Sequence, residues 1–220
     1  MRIIAIGDIH GCAAALDALI DVVAPRPEDT IITLGDYVDR GPDVPGVLDR
    51  LLDLQQRCRL IPLRGNHEQL LLWVCEGRRE LFSDWRLGGG ETTWASYGRH
   101  LPEVLPARHL QFLRDCRLVY ETEHHFFVHG NYEADKPLDA QDPYVVLWDS
   151  LKRRVPRRHF SGKTAIIGHS RQKSGNILDL GYLKCINTDC DGGGWLTALD
   201  VAYGRIWQAN KTGKLRGKQG

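Results

Sequence analysis

Residues 2–11 read RIIAIGDIHG, a short apolar run followed by an aspartate and a histidine between glycines. Four later apolar runs are followed in the same way by polar residues beside glycine, at Gly35–Gly41, Arg64–Glu68, His129-Gly130 and Gly168-His169. A short apolar run bounded by glycine is typical of a buried strand that meets a loop. Five such elements predict that oxygen and nitrogen ligands gather at one edge of a sheet, as in a metal site for hydrolysis.

The order of elements predicts an α/β fold. In the first half, strands are expected at 2–6, 30–34 and 59–63, each followed by a helix, the third at about 67–76. Strands that alternate with helices form parallel sheets whose working loops lie at the carboxyl ends of the strands. The second half is richer in strands, expected at 117–121, 125–129, 164–167, 182–188, 195–201 and 205–209. We therefore expect mixed α/β (α+β) architecture with a second sheet packed on the first.

The domain organisation is expected to be simple. Residues 1–210 are interpreted as one domain that contains a mostly helical insertion at 77–116, interrupted by Gly88-Gly89-Gly90. This insertion is either a cap over the site or a pair of packing helices, and the sequence leaves both open. Residues 211–220 are basic and glycine-rich, and we expect a flexible tail.

Composition excludes several classes of function. The 220 residues carry a formal net charge of +1, which gives no general attraction to nucleic acid or anionic membranes. The sequence has no apolar run of about 18 residues, so no membrane span is expected. The six cysteines form no Cys-x-x-Cys pair, which favours free buried thiols over a zinc or redox site. We expect a cytoplasmic protein without a nucleic-acid or membrane partner.

The polar residues after the strands have the chemistry of ligands for divalent cations. Carboxylate, amide oxygen and imidazole suit such ions, and a carboxylate that follows a strand can bridge two of them. The candidates are Asp8, His10, Asp36, Asn66, His129 and His169. Together they predict a site for two ions roughly 3.5–4 Å apart that share Asp36. Taken singly, the aspartates could instead form turns and Asn66 a left-handed position.

These motifs resemble the phosphoprotein phosphatase family of calcineurin-like metallophosphoesterases, especially its short bacterial and phage members. The family signatures Gly-Asp-x-His-Gly, Gly-Asp-x-x-Asp-Arg-Gly and Gly-Asn-His-Glu are all present in order, followed by the two later histidines. The resemblance covers residues 1 to about 210. It implies two mixed β-sheets packed as a sandwich flanked by helices, with a small helical cap.

The resemblance also implies a role for each matched residue. Asp8, His10 and Asp36 would hold the first metal, and Asp36, Asn66, His129 and His169 the second. A hydroxide bridging the metals would attack phosphorus directly, without a phosphoenzyme. His67 would protonate the leaving group with Asp39 orienting it, and Arg40 and Arg64 would bind phosphate oxygens. Manganese is the expected ion, with iron or zinc as alternatives.

One position departs from the family pattern. Phage members carry a phosphate-binding arginine two residues after a tryptophan, whereas Trp148 is followed here by Asp149-Ser150. Arg153, Arg154 or arginines of the cap could replace it. His100, His109 and His159 are interpreted as surface residues.

Four functions are compatible with the sequence. The first is a serine/threonine phosphoprotein phosphatase, and the second is a dinucleoside tetraphosphate hydrolase in which Trp85, Trp94 or Tyr97 stacks a base. A nuclease is disfavoured by the near-neutral charge. A catalytically dead module that binds phospho-groups is disfavoured because no ligand or acid is missing. The substrate is therefore either a phosphoprotein or a small phosphoester.

Overall fold

Two five-stranded β-sheets face each other in the computed structural model, which describes residues 1–100 and 105–217. The first sheet has the order β10-β9-β1-β2-β3, with β1, β2 and β3 parallel. The second has the order β4-β5-β6-β8-β7, with β5, β6 and β8 parallel. The strands are β1 (Ile3–Ile6), β2 (Thr30–Thr33), β3 (Arg59–Pro62), β4 (Val119–Glu121), β5 (His125–Val128), β6 (Thr164–Ile167), β7 (Leu178–Asp179), β8 (Leu183–Cys185), β9 (Leu196–Asp200) and β10 (Ile206–Ala209).

Helices flank the sandwich and follow the first three strands. They are α1 (Ala13–Val23), α2 (Val44–Arg57), α3 (Asn66–Cys75), α4 (Phe82–Trp85), α5 (Glu91–Ser96), α6 (Ala107–Asp115) and α7 (Pro143–Trp148). The N-terminus of α2 is fixed by Asp43, whose carboxylate accepts the N–H of Gly46, and by Pro45 in the first turn. Short 3₁₀ turns lie at Arg79–Leu81 and Leu138–Ala140, and a π turn lies at Arg86–Gly90.

Successive side chains along a strand point to opposite faces of the first sheet, and both faces are part of the hydrophobic core. In β1, Ile4 and Ile6 pack with the helices, whereas Ala5 points between the two sheets. The layer between the sheets joins residues of both, including Ile32 and Phe127. Each sheet is therefore buried on two faces, which explains why its strands read as continuous apolar runs.

The expected architecture is confirmed. The mixed α/β fold with two mixed β-sheets packed as a sandwich and flanked by helices is what the structure contains. The strands expected at 117–121 and 125–129 are present as β4 and β5, which pair as an antiparallel hairpin. The short strand β7 and the helix α7 have no counterpart among the expected elements.

Segment 77–116 is mostly helical where it is described, and it packs on α2 and α3. Residues 101–104 of this segment and residues 218–220 of the expected tail lie outside the described residues. Within the described part of the tail, Leu215 forms a β-bridge with Ala209, and Arg216 donates to the carbonyl of Gly175. The chain has no helix, in the part described, that is long and apolar enough to cross a bilayer.

Two histidines expected at the surface are buried, and that expectation was wrong. His109 is 1% exposed because Nδ1 bonds the Tyr97 hydroxyl and Nε2 bonds Asp49. His159 is 2% exposed and bonds Ser161. His100 is exposed as expected, and the six cysteines are free. A buried imidazole needs partners on both nitrogens, and those of His109 come from α2 and α5–α6, far apart in sequence.

We predict that Asp29→Asn destabilises the fold in a pH-dependent way. Asp29 is buried and accepts hydrogen bonds from the backbone and guanidinium of Arg2 and the N–H of Arg26. Burial alone would raise its pKa, but these bonds lower the pKa from 3.8 to about 2. A lowered carboxyl pKa stabilises the fold above the unfolded pKa, and the effect is lost as pH falls from about 4 toward 2.

Urea unfolding should show a loss of about 2 kcal/mol for Asp29→Asn at pH 7, and a smaller loss toward pH 2. Asp21→Asn on the exposed face of α1 is the matched control. An equal loss at both ends of this pH range would contradict the ion-pair explanation.

Candidate metal centre

The carboxyl ends of five parallel strands bring the glycine-flanked residues to one edge of the sandwich. In the first sheet, Asp8 and His10 follow β1, Asp36 follows β2, and Asn66 follows β3. His129 and His169 follow β5 and β6 of the second sheet, and complete the set. Both sheets thus contribute side chains to a single site.

The backbone at this edge is held in an unfavourable conformation. His10, Asp36, Asp39, Arg40 and His169 have positive φ angles of 43°, 53°, 69°, 66° and 53°. A non-glycine residue in the left-handed region costs about 1–3 kcal/mol, and such residues cluster at functional sites. This backbone conformation turns the side chains toward the site, and packing in the rest of the protein offsets its energetic cost.

One ligand group forms around His10. Its Nδ1 donates to the carbonyl of Val38 at 2.9 Å, which leaves Nε2 facing Asp36 Oδ2 at 3.4 Å. Candidate ligand atoms of His10, Asp36 and His67 all lie within 4.8 Å of one another. Burial lowers the pKa of His10 to about 4, so its ring is neutral and Nε2 offers a lone pair.

A second group forms on the other oxygen of Asp36. His129 Nδ1 donates to the carbonyl of Leu34 at 2.8 Å, and His129 Nε2 lies 3.4 Å from Asp36 Oδ1. Asn66 Oδ1 is 3.0 Å from the same nitrogen. Candidate ligand atoms of Asp36, His129 and His169 lie within 4.8 Å of one another. Each oxygen of Asp36 therefore faces a different histidine, as a bridging carboxylate requires.

Asp8 is held beside these groups by neutral donors. Its carboxylate accepts the N–H of His169 at 3.1 Å and the side-chain amide of Asn187 at 2.5 Å. Burial and the neighbouring charge of Asp36 raise the pKa of Asp8 well above its usual range. A cation bound beside Asp8 and Asp36 would reverse this shift, because positive charge favours the ionised form of a carboxylate.

The residues fit divalent cations on chemical grounds. Because His129 Nδ1 is the donor to Leu34, the neutral ring presents only a lone pair from Nε2. Burial lowers the pKa of His129, which favours that neutral form. Nε2, Asn66 Oδ1 and Asp36 Oδ1 then face one another as three electron-rich atoms. A cation between them would satisfy all three, and oxygen and imidazole donors suit such ions.

His67 and Asp39 form a buried pair beside the first group. His67 Nδ1 donates to Asp39 Oδ2 at 2.6 Å, and both side chains are almost fully buried. Burial alone would lower the pKa of His67, but the charge of Asp36 and the bond to Asp39 raise it instead. The pair therefore keeps a proton on a histidine that stands next to the candidate ligands.

The two predicted phosphate-binding arginines differ in placement. Arg40 reaches the centre, where Nη1 donates to His10 Nε2 at 2.8 Å. The guanidinium of Arg64 instead donates to Gln69 Oε1 at 3.0 Å and to the carbonyl of Arg114 at 2.7 Å. Only Arg40 is in contact with the ligand set.

Two of the candidates for a third phosphate-binding arginine, Arg154 and Arg86, are bound to other partners. Arg154 pairs with Asp149 at 3.0 Å, and Arg86 of the cap pairs with Glu91 at 2.6 Å. Neither contact places a guanidinium on a candidate metal ligand.

The proposed base-stacking role of the cap tryptophans and tyrosine needs correction. Trp85 is 1% exposed and Tyr97 is 9% exposed, so neither offers a free face. Trp94 is half-buried, and the guanidinium groups of Arg86 and Arg99 lie 4.5 and 5.1 Å from its ring centroid. The rings that the sequence suggested for stacking a base are occupied by the fold itself.

Two supporting residues had no role in the sequence analysis. Glu68 is fully buried and accepts the backbone N–H groups of Asp36, Tyr37, Val38 and Gly65 at 2.7–3.1 Å. The sequence signal that could have identified Glu68 was its position in the Gly-Asn-His-Glu motif. Asn187, which holds Asp8, lies 179 residues away from it and outside any of the motifs.

Comparison with known proteins places the fold and site in a family. Residues 1–115 match the family model of calcineurin-like phosphoesterases. Serine/threonine-protein phosphatase 1 of Salmonella typhimurium is 26% identical over 204 residues, which cover 89% of this chain and 90% of that relative. A symmetrical bis(5'-nucleosyl)-tetraphosphatase of Acidovorax ebreus is 34% identical over 115 residues, which are 50% of this chain and only 40% of that relative.

Solved structures share the fold. The cold-active protein-tyrosine phosphatase of a psychrophilic Shewanella species has a TM-score of 0.67 at 19% identity, with 98% of this chain and 79% of that chain covered. A serine/threonine phosphatase of Saccharomyces cerevisiae has a TM-score of 0.59 at 17% identity, with 96% and 80% covered.

The match to the family model makes this sandwich, with candidate ligands at its strand ends, that of a metallophosphoesterase, a class of hydrolases. This chain belongs to the calcineurin-like phosphoesterase family, as its motifs suggested. Members of the family hydrolyse phosphoesters and depend on two metal ions, which agrees with the two ligand groups that share Asp36.

Proposed function

We propose that this protein removes phosphate from phosphoserine and phosphothreonine, with manganese as the activating ion. The observation that carries this choice is the buried Asp39–His67 pair, with its 2.6 Å hydrogen bond. A serine or threonine alkoxide is a strongly basic leaving group and needs a proton as the bond to phosphorus breaks. A nucleotide phosphate is a weakly basic leaving group and needs it less. The similarity to the Salmonella phosphatase along most of both chains supports the same choice.

The assignment of ligands in this proposal starts from the two groups around Asp36, with Asp8 in place of His67 in the first group because His67 is bonded to Asp39. Asp8, His10 and Asp36 would hold one ion, and Asp36, Asn66, His129 and His169 the other. When bound, the ions supply Lewis-acid stabilisation of phosphoryl oxygens and lower the pKa of water. The carbonyls of Val38 and Leu34 fix the ring orientation of His10 and His129.

The remaining residues bind the substrate and move its proton. Arg40 Nη1 is bonded to His10 Nε2; with an ion bound to that nitrogen, the guanidinium would instead bind a phosphoryl oxygen and stabilise the charge that develops there. The Nδ1–H group of His67 is engaged in the hydrogen bond to Asp39, so the proton on Nε2 is the one available to the leaving oxygen. Arg64 would have to leave Gln69 and Arg114 before it could bind phosphate.

A second candidate is hydrolysis of dinucleoside tetraphosphates. The tetraphosphatase of Acidovorax ebreus is the observation in its favour, with higher identity over a shorter segment. The same ligands would serve that reaction, which depends less on the acid because its leaving group is weakly basic. The occupied rings of Trp85 and Tyr97 count against the cap as a base-binding surface.

We expect a substrate panel with manganese to separate the two candidates. The panel contains phosphoserine, phosphothreonine and phosphotyrosine peptides, diadenosine tetraphosphate and 4-nitrophenyl phosphate. The value of kcat/KM should be at least about tenfold higher for the phosphoserine or phosphothreonine peptide than for diadenosine tetraphosphate, which is about 1.4 kcal/mol of transition-state discrimination.

Asp8→Asn serves as the control against contaminating phosphatases and should lose roughly 100-fold in turnover of every ester. Efficient turnover of diadenosine tetraphosphate alone would reject the phosphatase and favour the second candidate. A purified protein without metal and without activity in added manganese would favour a binding module.

A further inference from the structure

The Asp39 carboxylate is more tightly surrounded than the orientation of His67 requires. The side chain is fully buried, and His67 occupies one side of one oxygen. Thr93 Oγ1 donates to Asp39 Oδ1 at 2.7 Å, and Trp85 Nε1 lies 3.2 Å from both oxygens. The Asp39 backbone N–H donates to the same Thr93 hydroxyl at 2.8 Å. Among the described residues, the side-chain donors to this carboxylate other than His67 both come from the segment 82–96.

The segment 82–96 is shaped to deliver these two donors. It consists of α4, the π turn at Arg86–Gly90 and α5, and Trp85 and Thr93 stand on either side of the turn. A Cβ at Gly90 would lie 2.2 Å from the Trp85 ring. Gly89 has a φ of 126°, and a Cβ there would lie 2.7 Å from Cγ of Arg40. Only glycine at these two positions lets the indole and Arg40 pack so closely.

The same turn also contacts the neighbouring phosphate-binding candidate. The backbone N–H of Arg40 donates to the carbonyl of Gly89 at 3.0 Å. Asp39 and Arg40 both have positive φ angles, so their loop is strained and depends on its surroundings for its shape. The segment 82–96 therefore contacts the acid pair and the arginine side by side.

A buried carboxylate without these donors would have little reason to keep its orientation. Hydrogen bonds to a charged group are stronger than those between neutral groups, and a buried charge that loses one shifts or rotates to find another. Rotation of Asp39 would move Oδ2 away from His67 Nδ1. The His67 ring would then lose the bond that orients it, and the proton on its other ring nitrogen, Nε2, would be displaced. The indole N–H and the threonine hydroxyl are the groups that oppose this rotation.

We propose that Trp85 and Thr93 are positioning residues that hold the Asp39 carboxylate against His67, so that the segment 82–96 sets the efficiency of proton donation to the leaving group. This inference rests on the proposed function. The segment 82–96 would then contribute to the reaction whichever substrate the enzyme hydrolyses.

The kinetic test compares leaving groups in the manganese-loaded enzyme. Thr93→Val keeps the shape and removes the hydroxyl, and Trp85→Phe removes the indole N–H. Each should lower kcat for a phosphoserine peptide by about 10–100-fold with KM little changed, as loss of a supporting partner does. The loss should be several-fold smaller for 4-nitrophenyl phosphate, whose leaving group needs less protonation. Thr93→Ser should restore the activity.

Trp94→Phe is the matched control, because Trp94 lies on the same segment and packs with Phe82 and Arg86. It should leave the leaving-group dependence unchanged. Equal losses on both esters in Thr93→Val and Trp85→Phe would mean a general structural role and would overturn the proposal.

A second measurement does not need activity. In the zinc-loaded protein, the His67 Nδ1 proton should give a far-downfield proton resonance, since its hydrogen bond is short and buried. The resonance is assigned by its absence in His67→Asn. It should persist in Thr93→Ser and Trp94→Phe and be lost to exchange in Thr93→Val and Trp85→Phe. The proposal is overturned if Thr93→Val and Trp85→Phe both keep the wild-type resonance. If the wild type is inactive but the resonances behave as expected, only the proposed function is overturned.

Discussion

Replacement of Asp36 by asparagine should reduce phosphoester turnover by at least about 1000-fold and reduce the metal content from two ions per chain to one or none. The two carboxylate oxygens of Asp36 face different histidines, His10 and His129, at 3.4 Å each. An amide keeps the size but offers one oxygen and no charge, so it cannot bridge. Loss of about 4 kcal/mol of charge stabilisation corresponds to that factor in rate.

The measurement is equilibrium dialysis against manganese, together with turnover of 4-nitrophenyl phosphate at saturating metal. Asp21→Asn makes the same chemical change on an exposed position of α1 and should retain two ions and full turnover. The folded state of Asp36→Asn can be checked by its melting temperature. Two bound ions and unchanged turnover in a folded Asp36→Asn protein would exclude a bridging role.

Much of the fold and site could be predicted because the decisive signals are local in sequence. Each run of three to five apolar residues followed by glycine specifies a buried strand and the polar loop at its carboxyl end, as in Ile3–Ile6 and Asp8. Parallel strands then bring loops that are far apart in sequence to the same edge. The convergence of Asp36 with His129, 93 positions later, needs no long-range signal beyond strand direction.

The parts that could not be predicted depend on contacts without a local pattern. Trp85 and Thr93 reach Asp39 across 46 and 54 residues, and nothing in their neighbourhood distinguishes an indole that bonds a carboxylate from one that stacks a base. The burial of His109 could not be predicted, because its partners are Asp49 of α2 and Tyr97 just after α5, which no pattern near His109 indicates. Buried polar side chains are placed by their partners, and those are known only once the helices are packed.

The proposed acid gives the second large effect. Replacement of His67 by asparagine should lower kcat for a phosphoserine peptide by about 100- to 10,000-fold, the usual range for a general acid. The loss should be much smaller for 4-nitrophenyl phosphate. The physical reason is that asparagine can still bond Asp39 but has no proton to give at the pH of the assay. The measurement is kcat on both esters with manganese at saturation.

Metal content decides between the two roles that His67 could play. A ring nitrogen of His67 lies within 4.8 Å of ligand atoms of His10 and Asp36, close enough for it to belong to the first ligand group. Its Nδ1 bond to Asp39 and its raised pKa favour a protonated ring, which cannot bind a metal. His67→Asn should therefore keep two manganese ions, as should His124→Asn, the exposed control. If His67→Asn loses an ion and loses turnover equally on both esters, His67 is a metal ligand and is not the acid that protonates the leaving group.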